Sequence, residues 1–304
     1  MALFEKALEA TVMSTHLLIR ADVSKEVLKE AYRIAKDFEK RYSAYKEDSF
    51  LSEINTKAHL QPLPCTAVDL QLFQRAHDAS VVTKGTFDIT IGSLSHGCYH
   101  FGFVNQSIPK EAQLQKEKAL VDYRSVVLQD NTIFLKERGT RLDLGGIGKG
   151  FCANLIVQFL LDQGAKKLLV DVGGEIVTVG KSYTVAIKDP FKEGNIAYIK
   201  TTKEATSLST SGNYERYIGS TKTHHIINPD SARSKNFYSS MSVIKNGFDI
   251  DLLDAYATAL FNQNPSEVQQ FSKKEKITTI LIDQDGSVII NNLEASRIQK
   301  LEFA

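Results

Sequence analysis

Three short segments of this 304-residue chain carry residue types and spacings able to do chemistry. The first is Asp143-Leu-Gly145-Gly146-Ile-Gly148-Lys149-Gly150, a glycine-rich turn that feeds a helical sequence from Phe151. Glycines let backbone approach a ligand closely, the free N–H groups of a helix start point outward, and the helix dipole favours negative charge. The turn is therefore a candidate anion cradle, with Lys149 as an added point charge. It is neither of the familiar nucleotide loops. A P-loop would need Gly where Asp143 stands and Ser or Thr where Gly150 stands, and a dinucleotide fingerprint begun at Gly146 would need Gly in place of Phe151. A tight strand-to-helix turn, with glycines that serve only packing, fits the same spacing.

The second segment, Asp251-Leu-Leu-Asp254-Ala-Tyr-Ala-Thr258-Ala-Leu-Phe261, reads as a helix that sets Asp254 and Thr258 one turn apart on one face. A carboxylate and a hydroxyl at that separation can share a hard cation such as Mg²⁺, which keeps waters free for a phosphate partner. The alternative is a Thr hydroxyl bonded back to the carbonyl four residues earlier. Ala255, Ala257 and Ala259 around the pair suit close packing. The third segment joins Ser209-Thr-Ser-Gly-Asn-Tyr214 to Thr223-His224-His225-Ile-Ile-Asn-Pro229. One of its histidines could act as a general base, since imidazole titrates near neutral pH; a satisfied core histidine or an exposed polar residue on a strand is the ordinary alternative. No Cys or further His stands at zinc-ligand spacing.

Helices and hairpins must position these segments. Val27, Ala31, Ile34, Phe38, Tyr42 and Tyr45 follow helical spacing after Ser24, and a second helix is predicted from Thr66 to Lys84, stopped by Gly85. A third spans Phe151 to Gln163, and Asn264-Pro-Ser-Glu267 opens a fourth. Ser125–Gln129 and Thr132–Lys136 flank the turn Asp130-Asn131, and Thr278–Asp283 and Ser287–Ile290 flank Asp285-Gly286, each pair reading as a hairpin. Lys167–Val172 leads into Gly173-Gly174 and a further strand. Hairpins mixed with helices, without a βαβ beat, indicate an α+β class in one unit, residues 1–304.

Composition narrows the function. A 42% hydrophobic share supports a large core, and 37 Lys+Arg against 36 Asp+Glu leave no basic excess for a nucleic-acid or membrane-surface binder. Cys65, Cys98 and Cys152 form no CxxC pair and fit a reducing compartment. No signal-peptide pattern or spanning apolar run is visible, so the expectation is a cytoplasmic protein without a membrane partner.

Taken in order along the chain, six motifs resemble those of ApbE-type FAD:protein FMN transferases. They are Gly85-Thr-Phe-Asp-Ile-Thr-Ile-Gly92, Asp143-Leu-Gly-Gly-Ile-Gly-Lys-Gly150, Val172-Gly-Gly-Glu175, Thr210-Ser-Gly-Asn-Tyr-Glu-Arg216, His224-His-Ile-Ile-Asn-Pro229 and Asp254-Ala-Tyr-Ala-Thr-Ala259. The resemblance runs from Met13-Ser-Thr to Phe261. It implies a bilobed α+β fold with mixed or antiparallel sheets, packed helices and FAD in a central cleft. It also implies transfer of FMN from FAD to a Thr or Ser hydroxyl of an acceptor protein with release of AMP, or, at the same site, hydrolysis of FAD to FMN and AMP. A flavin-binding protein without turnover is the alternative from another class.

The resemblance assigns Asp254, Thr258 and the backbone carbonyl of Gly146 to Mg²⁺. It likewise implies that Met13, Tyr45, Thr86, Phe87, Asp88, Asp143 and Lys149 are FAD contacts and that His225 is the base. Three positions depart from the family pattern: Ser93 stands where Pro is usual, His96-Gly-Cys-Tyr-His-Phe-Gly102 stands where Trp often occurs, and Asn228 replaces the commoner Asp before Pro229. These changes bear on the shape of the flavin pocket more than on the metal site.

Overall fold

In the computed structural model, which describes residues 5–304, an eight-stranded sheet carries the site at one of its ends. Its strands are Lys6–Val12, Thr15–Ala21, Leu168–Val172, Glu175–Val179, Thr206–Gly212, Tyr238–Asn246, Thr278–Asp283 and Val288–Asn291. They lie side by side in chain order, every pairing antiparallel. Successive side chains of a strand point to opposite faces. Met241, Val243 and Leu281 accordingly enter one apolar core, while Ile244, Ile280 and Ile282 enter another.

Helices α1 (Lys25–Tyr42), α2 (Phe50–Lys57), α3 (Ala67–Val82), α4 (Gly92–Ser95), α5 (Glu111–Lys118), α6 (Gly148–Asp162), α7 (Ile250–Phe261) and α8 (Pro265–Glu275) complete the framework. The first core is built by α1, α3, α6 and α7 against the sheet. A three-stranded sheet of Thr184–Lys188, Asn195–Lys200 and Lys300–Phe303 closes the second. In α1 the Ser24 side chain accepts from Val27 N, and Leu28, Ala31, Ala35, Phe38 and Tyr42 bury one stripe at helical spacing. A smaller core joins α4 and α5 to the 227–232 segment through Leu94, Tyr99, Phe101, Leu114 and Ile227.

The α+β class and both predicted hairpins are present, the first turning through Asp130 and Asn131 with φ of 49° and 58°. Two differences matter. Helix α6 begins at Gly148, so Lys149 and Gly150 sit in its first turn rather than in the loop before it. Helices α2 and α5 carry almost no apolar stripe, since only Leu51 and Ile54 are buried in the one and Leu114 in the other. Their periodicity is too thin to read from sequence. Among the described residues no helix is long and apolar enough to cross a membrane.

Candidate active site

The site grows from the crossing of α6 and α7. A Cβ placed on Gly150 would lie 2.5 Å from the Ile250 carbonyl oxygen, so only glycine lets the two helices meet there. That approach brings the Gly150 N–H to the Asp254 carboxylate, donating to Oδ2 at 3.0 Å. An N-terminal amide of α6, unpaired within its own helix, is thereby satisfied by a side chain of α7. One turn further along α7, Thr258 faces Gly146: a Cβ at position 146 would stand 2.8 Å from the Thr258 hydroxyl. The glycine turn and the Asp254–Thr258 pair therefore meet in space.

Lys149 lies over this junction. Its ammonium pairs closely with Glu175 Oε1 and stands 3.7 Å from Asp254 Oδ1. Burial works against its charge, but the carboxylates of Asp254 and Glu175 prevail and hold it above its ordinary value. Burial also pushes both carboxyls up, that of Asp254 against the pull of Lys149 and the Gly150 amide. Asp254 and Glu175 are about fully enclosed, at 1% and 0% exposure.

A second group lies around Asp143, at the start of the glycine turn. Its Oδ1 accepts from Gly145 N at 2.8 Å, its Oδ2 accepts from Ser95 Oγ at 2.6 Å, and His96 Nε2 stands 3.5 Å away. Burial pushes this carboxyl up, yet His96, Ser95, the Gly145 amide and Arg216 together hold it below the usual carboxylate value. Tyr45, half exposed, packs its ring against His96 and Phe103 at centroid distances of 5.6 and 5.0 Å. Arg216 donates from Nη1 to the Tyr45 hydroxyl at 2.8 Å. This aromatic surface, with a cation at its rim, offers flat contact area to a planar ring.

The two histidines have different fates. His224 is fully enclosed, its Nε2 bonded to the Lys235 carbonyl at 2.9 Å and its ring edge-on to Phe261. His225 is half-buried, with Nδ1 3.1 Å from the Arg216 carbonyl. A carbonyl can only accept, so Nδ1 carries the proton and Nε2 keeps its lone pair. Burial pushes the imidazole down to about 4, although Asp143 pulls the other way.

Four predicted contacts lie elsewhere in the framework. Met13 occupies a hairpin turn with φ of 50°, its N–H donating to Glu39 Oε1 at 3.1 Å. That turn and Gly173-Gly174 share the end of the sheet that bears Glu175, and Gly173 N donates to the His16 carbonyl. Phe87 is buried in the main core. Asp88 Oδ1 accepts from Thr90 N and Oγ1, and its Oδ2 accepts from Tyr123 N, so its carboxylate braces a loop. Thr86 accepts from Gln263 at 3.4 Å. Glu175, His96 and Arg216 join the site without having been singled out as its residues, although Glu175 and Arg216 close two of the quoted motifs. Their types and positions carried no spacing signal; only the fold brings them in.

Among the described residues no three His, Cys, Asp or Glu side chains converge as a metal group. The expected Mg²⁺ set is of another kind, one carboxylate, one hydroxyl and a backbone carbonyl. These are hard oxygen donors of the kind a small divalent cation takes, and the Thr258 hydroxyl packs directly against Gly146.

The sequence pattern of the ApbE family matches residues 10–281. The chain is 28% identical over 302 residues to an FAD:protein FMN transferase of Klebsiella pneumoniae (strain 342), spanning 96% of this chain and 94% of that one. It is 30% identical over 224 residues to an FAD:protein FMN transferase of Treponema pallidum (strain Nichols), spanning 66% and 62%. The fold is similar to the solved ApbE protein of Thermotoga maritima, with a TM-score of 0.85 at 21% identity over 95% and 97% of the two chains. It is also similar to the flavin transferase ApbE of Vibrio cholerae, with a TM-score of 0.82 at 22% identity over 96% and 98%.

Proposed function

The chain belongs to the ApbE family, and we propose that it is a Mg²⁺-dependent transferase that moves FMN from FAD to a Thr or Ser hydroxyl of an acceptor protein. The observation that carries this reading is the meeting of Gly146 with Thr258 and of Gly150 with Asp254. Asp254, Thr258 and the Gly146 carbonyl would hold the cation, which when bound neutralises charge on the diphosphate and on departing AMP. Transfer of such a phosphoryl group is mostly positioning and charge compensation.

The protein's own residues supply the rest. Lys149 presents its ammonium beside the same junction, toward the diphosphate. Tyr45, with His96 and Phe103 behind it and Arg216 at its rim, gives a planar surface for a ring of FAD, and Asp143 accepts from its polar edge. Met13 approaches from the hairpin at the sheet end, while Thr86, Phe87 and Asp88 hold the loop that leads into α4. His225 Nε2 takes the proton of the incoming hydroxyl as the oxygen–phosphorus bond forms and the bond to the AMP oxygen breaks. Three unpaired cysteines support a reducing, cytoplasmic setting.

Incubation with FAD, Mg²⁺ and a candidate acceptor should give an FMN mass adduct on the acceptor and an equivalent of AMP, both abolished by a chelator. Free FMN and AMP without an adduct would make water the acceptor and the protein a pyrophosphatase. Tight FAD binding with no AMP under any divalent cation would overturn catalysis altogether.

A further inference from the structure

Glu175 is a buried acid that the transfer reaction does not use. It follows the Gly173-Gly174 turn on the Glu175–Val179 strand and is 0% exposed, and its Oε2 has no hydrogen-bond partner among the described residues. Its Oε1 is held by the Lys149 ammonium. That ammonium is nearer to Glu175 than to Asp254, from which it stands 3.7 Å away. A lysine between two enclosed carboxylates can neutralise only one of them fully. Charge removed from water demands a partner, so the lysine will follow whichever carboxylate remains ionised beside it.

We propose that Glu175 is a positioning residue for the cation site: by sharing the Lys149 ammonium, which also stands 3.7 Å from Asp254, it weakens that ammonium's hold on Asp254 and leaves Asp254 open to a divalent cation. The proposal rests on the reading of Asp254 and Thr258 as the metal pair. Two rigid elements support it. Lys149 is fixed in the first turn of α6, and Glu175 is fixed in the sheet by its neighbours in register, Val172 across the turn and Ile176 paired with Leu208. The lysine therefore chooses between acids whose positions do not change.

The test uses the full chain without FAD and Mn²⁺ alone as the probe, with free Mn²⁺ counted by electron paramagnetic resonance. Glu175→Gln keeps the shape of the side chain, removes its charge and frees Lys149 to turn to Asp254, so Mn²⁺ affinity should fall by about tenfold or more, the scale of an outer-shell loss. In Lys149→Met/Glu175→Gln the competitor is gone as well, and affinity should return to the wild-type value or exceed it. Glu175→Gln binding as tightly as wild type would overturn the proposal. So would weakened binding that Lys149→Met does not rescue, because a purely structural role of Glu175 predicts no rescue. Thermal melts establish that each variant folds. If Glu175→Gln alone does not, the double variant against wild type carries the test, and weaker binding in it rejects the proposal. Wild type that binds no Mn²⁺ strikes at the metal reading itself, and the proposal falls with it.

Discussion

His225 and its neighbour His224 are indistinguishable as a dipeptide, and burial separates them. His224 spends Nε2 on the Lys235 carbonyl in the core, whereas His225 keeps Nε2 free and fixes Nδ1 on the Arg216 carbonyl. Replacing His225 by Ala should cut AMP release by roughly 10²–10⁴ while FAD affinity, measured by fluorescence quenching, stays near wild type. A large loss of affinity would make it a binding residue. Because burial pushes this imidazole down to about 4, it is an unprotonated base throughout the neutral range. The acid limb of kcat/KM should then lie below about pH 5, not near the ordinary imidazole value of about 6.5. The same shift sets the sign for stability. The unfolded chain binds the proton first, so wild type should lose stability as pH falls from about 6.5 toward 4, and His225→Ala should lose less there. Melting curves across that window, compared between the two proteins, check it. At this scale the sequence named the oxygen and nitrogen groups able to act, but not the supporting Glu175, His96 and Arg216. Those are set by contacts between residues distant along the chain.

The α6–α7 crossing shows how an element's geometry fixes chemistry, and its two glycines should respond differently to substitution. Gly150→Ala places a methyl 2.5 Å from the Ile250 carbonyl oxygen and 2.8 Å from Asp251 Cα, backbone atoms that cannot turn aside. It should destabilise by about 1–3 kcal/mol or more and dislodge the bond from Gly150 to Asp254, as read by urea titration. Gly146→Ala meets the Thr258 side chain instead, with its hydroxyl at 2.8 Å and its methyl at 3.1 Å. That group can rotate, so the stability loss should be smaller while Mg²⁺-dependent AMP release drops sharply. Equal stability losses in the two variants would contradict this account of the crossing. The glycine run was legible as a tight approach, and its meeting with the Asp254–Thr258 helix followed only from the family resemblance, because nothing in either segment by itself names its partner. The helix start at Gly148 was also hidden, since three glycines in four residues look like a loop until tertiary packing overrides their propensity.

Across the whole molecule, α7 is held to α3 by Arg75, which donates from Nε and Nη2 to Asp251 at 2.5 and 2.7 Å, with Asn154 of α6 on the same carboxylate. Removing the guanidinium leaves a carboxylate that is 1% exposed without its counter-charge. Arg75→Ala should therefore cost on the order of 2–3 kcal/mol in denaturant melts and lower turnover by loosening α7. Hairpins and amphipathic helices gave the class of the fold from sequence, because period and turn residues are local signals. The order of the large sheet was not legible, since its second strand, Thr15–Ala21, pairs with Leu168–Val172 across all of α1 to α6. That long detour has a consequence for biosynthesis. On a ribosome adding about 5–20 residues per second, the opening hairpin must wait on the order of ten seconds for the strand that completes it. During that wait Leu17 and Ile19, sealed at 0% exposure in the finished protein, face the crowded cell beside an open edge. A holdase chaperone that reads such edges would have its opportunity then, before the sheet is complete.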